Sequence, residues 1–276
     1  MQVQDFVVHL SPRPSGGVDH GGQYAIGLAH SHSSRVTALA QEIIPRPSAI
    51  NLDVADPAEA VLEEIRHEAN RTAEAFAAVA TEASVAFETV AERSYAHGIG
   101  EVFADYARVR DLAVLGISRP LPPEQRLLAE TALLDSGRPL VLVPEQVPVF
   151  AQERIVAAWD ATPAAVRAIA GAMPFLKAAR EVVVVSVLED KAFRRGESGV
   201  EMCRHLARHG VAATFETVAR AEREVPTALL DAAQSHGADL LVMGGYAHST
   251  LRGLIFGSAT KGVLENPFPL PILMAH

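Results

Sequence analysis

Residues 212–244 read AATFETVARAEREVPTALLDAAQSHGADLLVMG, and residues 84–116 read SVAFETVAERSYAHGIGEVFADYARVRDLAVLG. Laid side by side without a gap, Phe-Glu-Thr-Val-Ala at 87–91 falls on the same five residues at 215–219. Asp111-Leu112 likewise falls on Asp239-Leu240. The opening segments correspond too, DFVVHLS at 5–11 with RIVAAWD at 154–160. A period of this length is the mark of a duplicated unit. The chain is therefore read as a tandem repeat, residues 1–146 and 152–276, with its boundary near Pro144–Gln152.

Each half reads as five strands alternating with four helices. In the second half the strands are expected near 154–159, 182–188, 212–218, 239–243 and 271–275. Val182-Val183-Val184-Val185 and Leu240-Leu241-Val242-Met243 are unbroken apolar runs, as parallel strands covered on both faces require. Helical stretches such as PAAVRAIAGAMPFLKAA separate them. The alternation predicts an α/β fold of two tandem doubly wound domains, each a mostly parallel five-stranded sheet with helices on both faces. A ligand is then expected at the C-terminal ends of the strands. In the first half, Asp56-Pro57-Ala58-Glu59 forms a capping box and predicts a long helix whose Val61, Ile65, Phe76 and Val79 face a core.

Composition narrows the function. The 276 residues carry a net charge of −9, which argues against a general nucleic-acid binder. No apolar run is long enough to cross a bilayer, so no membrane role is expected. The start, MQVQDFVVHLSPRP, lacks the basic region of a signal peptide, and the single cysteine, Cys203, fits a reducing compartment; a cytoplasmic location is expected.

The chemistry concentrates in the second half. Asp160 closes the first strand, the fourth strand runs into Gly244-Gly245-Tyr246-Ala247, and Gly257-Ser258-Ala259-Thr260 opens the last helix. Small residues at a strand end followed by a helix start can cradle an anion on backbone N–H groups. This combination resembles the universal stress protein family, whose nucleotide-binding members carry Gly-x-x-Gly, nine residues, then Gly-Ser/Thr. The flanking AWDAT, HSTLRGLIFG and PLPILMAH are similar to bacterial members. The likeness is strong over 154–276 and weak over 1–145. It implies a stress-response or regulatory protein that binds ATP or a related adenine nucleotide, with any Mg²⁺ accompanying it. In that reading Asp160, flanked by Ala158 and Trp159, lies beside the adenosine, and Val187 packs on the adenine. Met243, Gly244, Tyr246, Ala247, Gly257, Ser258, Ala259 and Thr260 surround the ribose and phosphates. Ala247 departs from the motif, since a methyl group stands where its second glycine belongs. Asp160 also has a purely structural reading as the cap of the helix that begins at Pro163.

The first half lacks these features. Ser11 matches Asp160, Gly116 matches Gly244, Arg119 matches Ala247, and Ala129-Glu130 match Gly257-Ser258. A carboxylate at a helix start would repel phosphate, and Pro120, Pro122 and Pro123 remove donors. This half is read as structural, and the repeat implies an intrachain pseudo-dimer, with a homodimer as a further arrangement. Ser15-Gly16-Gly17-Val18-Asp19-His20 is similar to the Ser-Gly-Gly-x-Asp-Ser loop of ATP pyrophosphatases, which gives an adenylylating enzyme as a competing class. His20, His30 and His32 lack the companion ligands of a metal site. No nucleophile, base and orienting group can be matched, so a dedicated enzyme is not expected and any ATP hydrolysis would be slow. A nucleotide-free interaction module of the same fold is the other alternative.

Overall fold

A computed structural model describes residues 2–44, 55–147, 149–188, 198–245 and 258–276. The chain divides into two compact units, residues 2–150 and 151–276. The first contains β1 (Asp5–Leu10), α1 (His20–His32), β2 (Arg35–Ile44), α2 (Ala55–Glu82), β3 (Ala86–Tyr95), α3 (Ile99–Arg108), β4 (Leu112–Ile117), α4 (Pro123–Asp135) and β5 (Leu140–Pro144). The second contains β6 (Arg154–Ala158), α5 (Pro163–Ala178), β7 (Glu181–Leu188), α6 (Ser198–Arg208), β8 (Ala213–Ala219), α7 (Val225–Ser235), β9 (Leu240–Gly244), α8 (Ser258–Glu265) and β10 (Ile272–Ala275).

The strand order is β3-β2-β1-β4-β5 in the first unit and β8-β7-β6-β9-β10 in the second. All the neighbours within each unit are parallel. The order reverses beside β1 and β6, which puts a crevice at the C-terminal ends of β1 and β4, and of β6 and β9. Burial on both faces explains the apolar strands: Phe6, Val7 and Val8, like Val184, Val185, Leu240, Leu241 and Val242, are wholly inaccessible.

The repeated residues have repeated jobs. Asp111 accepts the backbone N–H groups of Gln4 and Asp5 at 2.8 and 3.2 Å. Asp239 accepts those of Glu153 and Arg154 at 2.8 and 2.9 Å. Each carboxylate thus pins the start of its unit's first strand to the start of the fourth. The glutamate of Phe-Glu-Thr-Val-Ala takes a nitrogen partner in each unit: Glu88 meets Arg35 at 2.8 Å, and Glu216 meets His236 Nε2 at 2.8 Å. The phenylalanine packs on the preceding helix, Phe87 edge-on to Phe76 and Phe215 over Gly199.

Helix α2 departs from expectation. It begins at Ala55, so Asp56 lies inside the first turn instead of capping it. Its buried positions are Ala69, Phe76 and Ala80, whereas Val61 and Val79 are 46% and 41% exposed. The small alanines let the helix approach β2 and β3, and so rotate the expected stripe outward.

The carboxylate pins can be tested by stability. Asp239→Ala leaves two strand-start amides to water and is expected to cost about 1–3 kcal/mol in urea denaturation. Asp111→Ala should cost a similar amount. Loss-free variants would show that the repeated Asp-Leu has no such role.

Candidate nucleotide site at the strand ends

In the second unit, β6 ends at Ala158, and Trp159, Asp160, Ala161 and Thr162 carry the chain into α5. The turn is tight. Ala161 has φ of +60°, the left-handed region that costs an alanine roughly 1 kcal/mol or more. Asp160 Oδ1 accepts both the backbone N–H of Thr162 at 3.0 Å and its hydroxyl at 2.7 Å. Thr162 Oγ1 in turn accepts the N–H of Ala165 at 3.2 Å, so the helix cap is Thr162 and not Asp160. Asp160 is exposed, and its Oδ2 makes no bond among the described residues.

Its neighbours are anchored. Ala158 and Trp159 are each only 8% exposed, and the Trp159 indole N–H donates to Ser198 Oγ at 3.3 Å. The backbone N–H of Trp159 donates to Val185 O at 2.8 Å, and Ser186 Oγ donates to Trp159 O at 2.6 Å. Ser186 was legible as a signal, because a hydroxyl inside a buried apolar strand needs a partner. Val187, half-buried, is the position just beyond it on β7. Met243 is buried.

Gly244 closes β9 under the start of α5. A Cβ there would lie 2.7 Å from Ala165 N and 3.0 Å from Ala164 Cβ, so this glycine is required by helix packing alone. Gly245 N–H donates to Ala275 O at 2.8 Å. Ser258, Ala259 and Thr260 form the first turn of α8, as expected. Tyr246, Ala247 and Gly257 lie outside the described residues.

Residues 152–275 match the family model described as "Universal stress protein family". The second domain therefore matches the universal stress protein family. Two solved structures cover nearly the whole chain. A universal stress protein from Archaeoglobus fulgidus DSM 4304 aligns at 16% identity with a TM-score of 0.71, over 99% of this chain and 96% of that one. A putative universal stress protein from Pseudomonas aeruginosa UCBPP-PA14 aligns at 17% identity and 0.55, over 98% and 92%. These two show a shared fold across both domains. No curated protein matches the chain.

Outside the matched universal stress protein domain, the first domain occupies the equivalent crevice with its own groups. Here α1 is capped by Asp19, whose Oδ1 accepts Gly22 N–H at 3.0 Å and whose Oδ2 accepts Ser11 N–H at 3.4 Å. The acid of the Ser-Gly-Gly-Val-Asp-His loop is therefore a buried helix cap. Gly116 repeats the close approach of Gly244: a Cβ there would lie 2.8 Å from His20 Nε2 and 3.1 Å from Gly21 N. Two residues on, the N–H of Ser118 is taken by Gln125 Oε1 at 2.7 Å. Helix α4 begins at Pro123, so Ala129 and Glu130 lie within it and do not open it. This corrects the expected repulsion of phosphate at a helix start. The N–H groups at 129 and 130 belong to the interior of the helix, and Glu130 is paired with Arg126 at 3.5 Å. His30 Nδ1 meets Ala83 O at 3.2 Å and His32 packs on Phe150. Among the described residues no group of three or more His, Cys, Asp or Glu is placed to hold a metal ion.

Two buried groups give this domain an opposed pH response. Burial raises the Asp19 carboxyl from 3.8 to about 6, and burial lowers the His9 imidazole from 6.5 to about 4, against the hydrogen bond that His9 Nε2–H donates to Gln41 Oε1. A carboxyl raised on folding stabilises below its unfolded value, and that contribution is lost as pH climbs to about 6. A histidine lowered on folding contributes above its unfolded value, and that is lost as pH falls to about 4. The two oppose one another in the same window. Asp19→Asn keeps a cap oxygen and removes one of them. Relative to the unaltered protein, its unfolding free energy should rise between pH 4 and 6 by up to about 3 kcal/mol. A difference that does not change with pH would contradict the assignment.

Proposed function

We propose that this protein is a cytoplasmic stress-response protein that binds ATP or a related adenine nucleotide in its second domain and acts as a regulatory binding protein. The observation that carries the reading is Asp160: an exposed carboxylate at the reversal point, fixed through one oxygen and with the other making no bond among the described residues. Such a carboxylate can accept a hydroxyl or amine hydrogen bond from a nucleoside. The half-buried Val187 offers an apolar surface for a base, and the first turn of α8 offers N–H groups and a helix dipole for phosphate. ATP would bring Mg²⁺ bound to its phosphates. In the first domain the comparable donors are held by Asp19 and Gln125, which supports one site per chain.

Calorimetric titration with ATP is expected to saturate near one site per chain. Asp160→Ala should weaken binding by about 1–3 kcal/mol, the loss of a charge-assisted hydrogen bond. Thr162→Ala should lower stability by about 1 kcal/mol and weaken affinity less than Asp160→Ala, since the Thr162 N–H still holds Asp160 Oδ1. Unchanged affinity in Asp160→Ala removes that residue from the site. Absence of binding would favour a nucleotide-free interaction module.

A further inference from the structure

Helix α6 carries His205 on its last full turn, and His209 follows one turn later, immediately past Arg208. The helix ends there in a tighter turn, in which His209 N–H donates to Leu206 O at 2.9 Å. Both side chains are exposed, and their ring centroids stand 4.7 Å apart. Residues one turn apart are surface neighbours, and across this last turn the two imidazoles are in contact.

That separation has a chemical meaning. A metal–nitrogen bond of about 2.1 Å, plus roughly 1.1 Å from nitrogen to ring centroid, sets each centroid about 3.2 Å from a shared ion. Two such rings stand about 4.5 Å apart at a right angle and about 5.2 Å apart at a tetrahedral angle. The observed 4.7 Å falls between them. We propose that His205 and His209 form a bidentate site for a borderline transition-metal ion, with water completing its shell. Imidazole pairs suit copper(II), nickel(II) and zinc(II), and copper(II) should bind most tightly. Hard ions such as magnesium and calcium, which take oxygen donors, are excluded. Glu201, one turn before His205, is paired with Arg204 and stays outside the pair.

The site is separate from the nucleotide reading, and its test does not depend on that reading. Titration of the full chain with copper(II) chloride is expected to show one site tighter than the background of the remaining histidines. Electron paramagnetic resonance of the loaded protein should report two coordinated nitrogens. Because the second ligand binds intramolecularly, His205→Gln and His209→Gln should each weaken the site by at least about tenfold, and the double variant should be little worse than either. Single variants that bind as tightly as the unaltered protein would overturn the proposal. So would a double variant whose loss is the sum of two independent losses, or an unaltered protein that binds no tighter than the double variant.

Discussion

The architecture depends on one close approach, the start of the first helix of each domain laid directly on the end of the fourth strand. At Gly116 and Gly244 there is no room for a Cβ, because the neighbouring backbone of α1 or α5 would lie within about 3 Å of it. This contact sets how wide the crevice opens at the reversal of strand order. It also places the residues that follow the first strand, Ser11 in one domain and Trp159-Asp160 in the other, at the crevice mouth. The helix start is in turn fixed by the same device in both domains: a side-chain oxygen, from Asp19 or Thr162, accepts the N–H three residues later. The opposite ends of the same two strands are pinned by Asp111 and Asp239. Each first strand is therefore tied to the fourth at both ends, and the crevice lies on a rigid base.

On this common frame the two domains use their hydrogen-bond donors differently. The first has a longer connection between strand and helix, residues 11–19, which lets Asp19 reach back to Ser11. Its α4 starts early, and Gln125 on the first turn takes the N–H of Ser118. The second keeps a four-residue connection, Trp159-Asp160-Ala161-Thr162, at the cost of a left-handed alanine. A strained residue that persists where a glycine would relieve it is consistent with a position held for binding. The result is one domain closed by its own side chains and one that presents a carboxylate.

Much of this was legible in the sequence because a duplication states its own alignment. The identity of Asp111 with Asp239 and of Glu88 with Glu216 marked residues whose partners the structure then supplied. The parallel sheets followed from apolar runs such as Val182–Val185. Other features were hidden by competition between equal signals. Asp160 and Thr162 are both good caps before Pro163, and only the turn geometry assigns the cap to Thr162. The start of α4 was obscured by transferring the second domain's spacing onto the first, although Pro122-Pro123 marked an N-terminus in their own right. The α2 stripe was misplaced because alanines carry little hydrophobic signal yet decide where a helix can approach. Within the candidate site, Asp160 follows β6, Val187 and Gly244 lie at the ends of β7 and β9, and Ser258 opens α8, while Tyr246, Ala247 and Gly257 fall outside the described residues.

The central claim is that the second domain holds an adenine nucleotide on this frame while the first does not. The most direct measurement is to denature freshly purified protein and identify by mass spectrometry what it releases, relative to protein. The account predicts an adenine nucleotide at up to one equivalent per chain, lost from Asp160→Ala and retained in Asp19→Asn. Release of two equivalents, or of none from protein also incubated with ATP, would contradict it.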